Sequence, residues 1–267
     1  MNLMVFLKGL IIGGTMLVPG ISGGSMAIIL GIYKKLLAAV SDFMKDKRAN
    51  FLFLLIFCLG AGVGMLLFAK PLQKLISLYP QPMLYFFLGV VAGGIPLIWK
   101  AAKIRHFSWQ LPVCIGVGIL AVWACSALPT GMIPDESETG MMRLLLLGVA
   151  GFIAAIALVL PGISVSYLLL ILGLYDETMQ AISSLRLSFL LPLGLGLVLG
   201  VILTTRLLDR AMTYYPQPTY LIILGFVLGS VAELFPGVPS GVELMISCIT
   251  LLLGFVIIRL ITQWERK

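Results

Sequence analysis

Two short polar turns carry the residues best suited to chemistry. They are Pro19-Gly20-Ile21-Ser22-Gly23-Gly24-Ser25 and Pro161-Gly162-Ile163-Ser164-Val165-Ser166, and each interrupts an apolar run. A helix that starts after Pro-Gly leaves its first amide N–H groups without intrahelical acceptors, pointing toward the turn. Ser22 and Ser25 in one turn, and Ser164 and Ser166 in the other, add hydroxyl donors. Gly23 and Gly24 allow close approach to the backbone. Donors of this kind, with no carboxylate among them, favour an anionic group. The expected binding set is therefore Ser22, Gly23, Gly24, Ser25, Ser164 and Ser166. The competing expectation is a helix kink packed on a neighbour, with the serines bonded to backbone. Recurrence of the turn favours binding.

Other chemistry is poorly supplied. Gly20-Ile21-Ser22-Gly23-Gly24 matches G-x-S-x-G, but a nucleophile elbow needs a preceding strand and a histidine base. The sole histidine, His106, sits in a basic loop, and the second turn lacks the final glycine. No His, Cys or carboxylate cluster has metal-ligand spacing. Cys58, Cys114, Cys125 and Cys248 lie in apolar runs without a CxxC pair. No enzyme, metal site or cofactor is expected.

Accessory charge is more informative. Lys70/Lys74 and Arg206/Arg210 each have i,i+4 spacing, which puts both members on one helix face. They suit phosphate capture at a membrane surface, or simple interfacial anchoring. Lys8, Arg143 and Glu233 lie in or beside apolar runs. Such residues cost roughly 2.5–3.5 kcal/mol at a helix centre and usually face a cavity or partner.

The elements that must position these residues are apolar. The chain has 267 residues, 60% hydrophobic and 11% charged, with mean hydropathy +1.12. A soluble domain carries about 25% charged residues. The net charge of +7 therefore reports loop topology rather than nucleic-acid binding. Segments 3–17 and 22–33 are each too short to cross about 30 Å of hydrocarbon, so the first turn reads as the tip of a re-entrant hairpin over 3–33. Spans follow at 51–69, 83–99 and 110–128. A second hairpin at 144–175 precedes spans at 187–205, 219–235 and 242–261. Segments 34–50 and 70–82 read as loops.

The halves repeat in sequence. A shift of 142 aligns Pro19-Gly20-Ile21-Ser22 with Pro161-Gly162-Ile163-Ser164, and Gly31-Ile32-Tyr33 with Gly173-Leu174-Tyr175. A shift of 136 aligns Tyr79-Pro80-Gln81-Pro82 with Tyr215-Pro216-Gln217-Pro218, and Lys70 and Lys74 with Arg206 and Arg210. It also pairs Gly60, Gly64, Gly89 and Gly93 with Gly196, Gly200, Gly225 and Gly229; glycines so placed, with Gly62 and Gly194, read as helix-packing sites.

A hairpin plus three spans per half makes the second copy inverted. The expected fold is thus an all-α polytopic membrane protein with two inverted repeats, residues 1–133 and 141–267, forming one integral membrane domain. One face then collects Lys34, Lys35, Lys45, Lys47, Arg48, Lys100, Lys103, Arg105, Arg206, Arg210, Arg259, Arg266 and Lys267. The other has Lys70, Lys74, Arg143 and Arg186. By the positive-inside rule the first face, with both termini, is cytoplasmic.

Val18-Pro19-Gly20-Ile21-Ser22-Gly23-Gly24-Ser25, followed by Ala27 and Gly31-Ile32-Tyr33, resembles the signature of bacterial polyprenyl-phosphate (undecaprenyl phosphate) translocases of the PopT type. Ser25 departs from the threonine expected there and keeps the hydroxyl. The resemblance implies a flippase in the bacterial inner membrane. It would return the lipid carrier phosphate from the outer to the inner leaflet for peptidoglycan and other envelope synthesis. It implies phosphate as the anion at the turns and polyprenyl phosphate and membrane lipids as partners. A secondary transporter of a small soluble anion would use the same turns and stays open. So do a coupling proton or sodium ion and a homo-oligomer.

Overall fold

The computed structural model describes residues 2–17, 22–104, 109–128 and 140–264. Among the described residues there are twelve α-helices and no strand. The first half holds α1 (Asn2–Thr15), α2 (Gly23–Ile29), α3 (Tyr33–Ser41), α4 (Lys47–Leu78), α5 (Pro80–Ala101) and α6 (Gln110–Ser126). The second holds α7 (Met141–Val159), α8 (Val165–Ile171), α9 (Tyr175–Ser183), α10 (Leu187–Tyr214), α11 (Pro216–Leu234) and α12 (Val242–Trp264). Helices α4, α5, α7, α10 and α12 are long and apolar enough to cross a membrane. The pair α2 and α3 has comparable composition but bends by 114° at its joint. The chain is a polytopic all-α membrane protein. Leu66, Leu195 and Leu260 are among many exposed apolar side chains on the long helices, a surface suited to lipid rather than water.

Several expected ends move. Segment 34–50 is not all loop, because α3 occupies much of it. Segment 70–82 is largely helical: α4 continues through Pro71 to Leu78 and α5 starts at Pro80. Proline removes one ladder bond, and an exposed helix face can satisfy the freed carbonyl with water. The Tyr-Pro-Gln-Pro motif breaks the helix at the tyrosine alone. Tyr79 (φ −134°, ψ 63°) and Tyr215 (φ −128°, ψ 59°) share one cap conformation. The following proline takes the first helical position, where its missing N–H costs nothing.

Close approach at glycine sets helix direction. Gly60 lies against Phe6 and Gly64 against Leu10, so contact advances in the same sense along α1 and α4. These helices run parallel, and the segment between them carries the chain back to the side where α1 begins. Helices α7 and α10 repeat this, through Gly148 with Gly196 and Phe152 with Gly200. Helix α5 pairs with α12 through Gly89 and Gly254, and α6 with α11 through Gly118 and Gly225. In the last two pairs each helix takes its partner from the other half. Most of the expected glycine sites are such crossings, but Gly62 and Gly194 have nothing within 4 Å of an added Cβ.

Candidate functional site at the paired turns

Pro19, Gly20 and Ile21 lie outside the described residues, so the first turn is seen from Ser22 onward. Ser22 has extended backbone (φ −85°, ψ 135°) and caps α2, its Oγ accepting from Gly24 N at 3.2 Å. The same hydroxyl donates to Leu160 O at 3.4 Å, across to the second turn. Gly24 packs there too: an added Cβ would lie 3.1 Å from Pro161 Cα and 3.3 Å from Val159 O. The two turns therefore meet. They meet through Ser22 and Gly24 on one side and the end of α7 on the other, not serine to serine.

Helix α7 ends at Val159, and its last carbonyls lack intrahelical donors. The first half supplies them. Tyr33 OH donates to Val159 O at 2.7 Å, beside the weaker Ser22 bond to Leu160 O. Gly162 turns the chain at φ +89°, with Phe226 O 2.5 Å from where a Cβ would sit. Ser164 then caps α8, accepting from Tyr167 N at 3.4 Å, and Tyr167 OH donates to Ser126 O at 3.0 Å. Ser166 is exposed. Ser25 Oγ is buried, with no hydrogen-bond partner among the described residues. Beside the tip lies a cavity of about 360 Å³ that includes Gly23, Gly24, Tyr33, Val159 and Thr205 in its wall. It is bounded by both halves and is apolar apart from the tip backbone and these hydroxyls.

The accessory charges lie elsewhere. Lys8 Nζ donates to Leu30 O at 2.8 Å, at the far end of α2 from the tip, where a cation favours the helix C-terminus. Lys70 and Lys74 are exposed on α4, and Arg206 and Arg210 on α10. Arg143 is half-buried and ion-paired: its Nη2 is 2.7 Å from Glu177 Oε2, while Arg186 Nη2 is 2.9 Å from Glu177 Oε1. The side chain of Glu233 lies outside the described residues. Among the described residues no group of three or more His, Cys, Asp or Glu could hold a metal ion.

Tyr33, Glu177 and Arg186 are not among the site residues expected from the sequence. Tyr33 was signalled by the Gly-x-Tyr recurrence after each hairpin.

The equivalent helices are used differently. Helix α3 crosses to the other half and packs on α10, with Ser41 Oγ donating to Asp209 Oδ2 at 3.0 Å. Helix α9 packs on α8 and α10 of its own half, with no comparable packing on α4. Tyr33 is buried at the boundary between halves. Tyr175, its counterpart, is half-exposed, and its hydroxyl makes no hydrogen bond among the described residues.

Residues 12–250 match the family model described as VCA0040-like, undecaprenyl phosphate translocase-like. The chain belongs to the undecaprenyl phosphate translocase-like family. It is similar to the polyprenyl-phosphate transporter of Staphylococcus aureus, 30% identical over 94% of this chain and 93% of that protein. It is 29% identical to the polyprenyl-phosphate transporter of Vibrio cholerae, over 88% of this chain and 78% of that protein. No solved structure matches the chain. Both relatives of this translocase-family protein are named as transporters, neither as an enzyme.

Proposed function

We propose that this protein moves polyprenyl phosphate from the outer to the inner leaflet of the bacterial cytoplasmic membrane, returning the carrier to envelope synthesis. The reading rests on family membership and on one structural observation. The tip of the first hairpin meets the second turn at the boundary between the halves, beside a cavity that both halves wall. The prenyl tail is at home in lipid throughout. The barrier is desolvation of the phosphate, which a path must offset with hydrogen bonds and positive potential. Ser22, Gly23, Gly24 and Ser25, with Ser164 and Ser166 opposite, are the proposed donors, and the unpartnered Ser25 hydroxyl supports this role.

In this reading residues 1–133 and 141–267 are inverted repeats, and α1–α2 and α7–α8 are re-entrant hairpins. The parallel run of α1 with α4 and of α7 with α10 supports that arrangement. Alternating access follows from the unequal docking of α3 and α9. One face is closed by α3 on α10, and the other is left open where α9 stands off α4. Exchanging the two arrangements would open the first face and close the second.

Two apolar clefts favour a lipid over a soluble anion. One, about 460 Å³, runs from Leu160 at the second turn to Ala211 and Thr219. The other, about 420 Å³, runs from Gly14 and Thr15 near the first turn to Leu75 and Met83. The 136 shift relates Leu75 to Ala211 and Met83 to Thr219, so the clefts lead from the turns toward opposite faces. Reconstituted protein is expected to accelerate transbilayer movement of labelled undecaprenyl phosphate and to leave inorganic phosphate outside. Phosphate uptake without lipid movement would replace this reading with the soluble-anion transporter.

A further inference from the structure

The base of the second hairpin holds two guanidinium groups on one carboxylate. Arg143, in the first turn of α7, has Nη2 at 2.7 Å from both oxygens of Glu177 on α9. Arg186, at the start of α10, reaches Oε1 at 2.9 Å. Among the described residues two cations face one anion, which leaves a net positive charge in a partly shielded group, with the three side chains 22%, 40% and 20% exposed. Arg186 Nε is buried with no acceptor among the described residues, so the cluster has a donor to spare. Arg186 Cζ also lies over the Phe189 ring, 5.7 Å from its centroid.

The backbone before it is unusual. Leu185 adopts φ +51° as the left-handed residue of a Schellman cap on α9, with Arg186 N donating to Ala181 O at 2.9 Å, which sets where Arg186 leaves the helix. Around the cluster Met141, Met142, Leu145, Leu185 and Leu187 are exposed apolar side chains, as expected at the lipid boundary. A surplus guanidinium pair at headgroup depth, ringed by lipid-facing residues, matches a phosphate monoester on a membrane lipid. Such a group offers more acceptor oxygens than a carboxylate, and arginine binds it in a fork.

We propose that Arg143 and Arg186 capture the phosphate at the face where α7 begins, with Glu177 standing in for the anion when the site is empty. Phosphate arriving takes over both guanidinium groups and releases Glu177. Because Glu177 is on α9, its release also removes the ion pairs that tie α9 to Arg143 of α7 and to Arg186 at the start of α10. Capture is thereby coupled to docking of the second hairpin. The inference rests on the translocase reading for the lipid's identity and for the outward orientation of this face.

The test is binding of undecaprenyl phosphate to the full chain in nanodiscs by native mass spectrometry, with inorganic phosphate as competitor. Arg143→Gln and Arg186→Gln are expected to weaken binding at least about tenfold, as for loss of a charge-assisted hydrogen bond. Arg186→Lys should recover part of it. Glu177→Gln should tighten binding, because it removes the competing anion. Glu177→Gln and Arg186→Gln weakening binding alike would overturn the proposal and leave a structural clamp. Unchanged binding in both arginine variants, with wild type retaining the lipid, would also overturn it and leave the translocase reading standing. Wild type that takes up no carrier would sink both. Carrier retained against inorganic phosphate assigns the site to the lipid headgroup; carrier displaced by it supports capture of the bare anion.

Discussion

At the level of single residues, Gly24 and Tyr33 make the closest contacts between the two halves at the turns. Gly24 faces Pro161 so closely that even a methyl group would crowd the contact. Gly24→Leu is therefore expected to abolish transport in proteoliposomes while the protein stays folded in detergent, as size-exclusion and thermal melting would show. Transport at the wild-type rate would reduce the tip to scaffolding. Tyr33→Phe removes the donor to Val159 O. An orphaned buried carbonyl costs roughly 1–3 kcal/mol, which should shift the balance between docked and undocked hairpin about 5- to 150-fold. The expected result is faster labelling of a cysteine placed at Leu37, on the buried side of α3; labelling at the wild-type rate would show that the Tyr33 bond does not hold α3 docked. Residue types at the turns were legible in the sequence because Pro-Gly and serine have few uses inside apolar runs. Their bonding was not. Whether Ser22 faces a ligand or the Leu160 carbonyl depends on where the other half places α7, and a linear spacing does not carry that distance.

At the scale of elements, glycine spacing gave the helix crossings, and the structure adds which glycines matter. Gly60 and Gly196 sit in backbone contacts, whereas Gly62 and Gly194 face open space. Gly60→Leu and Gly196→Leu should each destabilise the protein by about 1–3 kcal/mol or more, as overpacking does. Gly62→Leu and Gly194→Leu should leave the melting temperature unchanged. Equal effects at all four positions would refute the parallel α1–α4 and α7–α10 pairings. Helix ends were the least legible feature. Hydropathy marks where apolar sequence stops, but α4 and α10 run on through Lys70, Lys74, Arg206 and Arg210, because those residues are good helix formers. Helix α3 was missed because Lys34 and Lys35 read as a loop boundary, while Tyr33 and Leu37, one turn apart on one face, pack inward.

At the scale of the whole molecule, the repeat was visible in the two offsets, and the exchange of partners between halves was not. That exchange makes each half incomplete alone, since α5 and α6 pack on α12 and α11. The inverted arrangement predicts that cysteines at Lys47 and Asp176, in a background without the native cysteines, react with impermeant reagent from opposite sides of the membrane. Labelling from one side would contradict it. If the carrier crosses by exchange of hairpin docking, the contact of Ser41 with Asp209 gives a direct test. Ser41→Cys/Asp209→Cys, in the same background, would tie α3 to α10 in the docked state. Transbilayer movement of undecaprenyl phosphate in proteoliposomes should stop on oxidation and return on reduction. Equal rates before and after quantitative cross-linking would contradict the account.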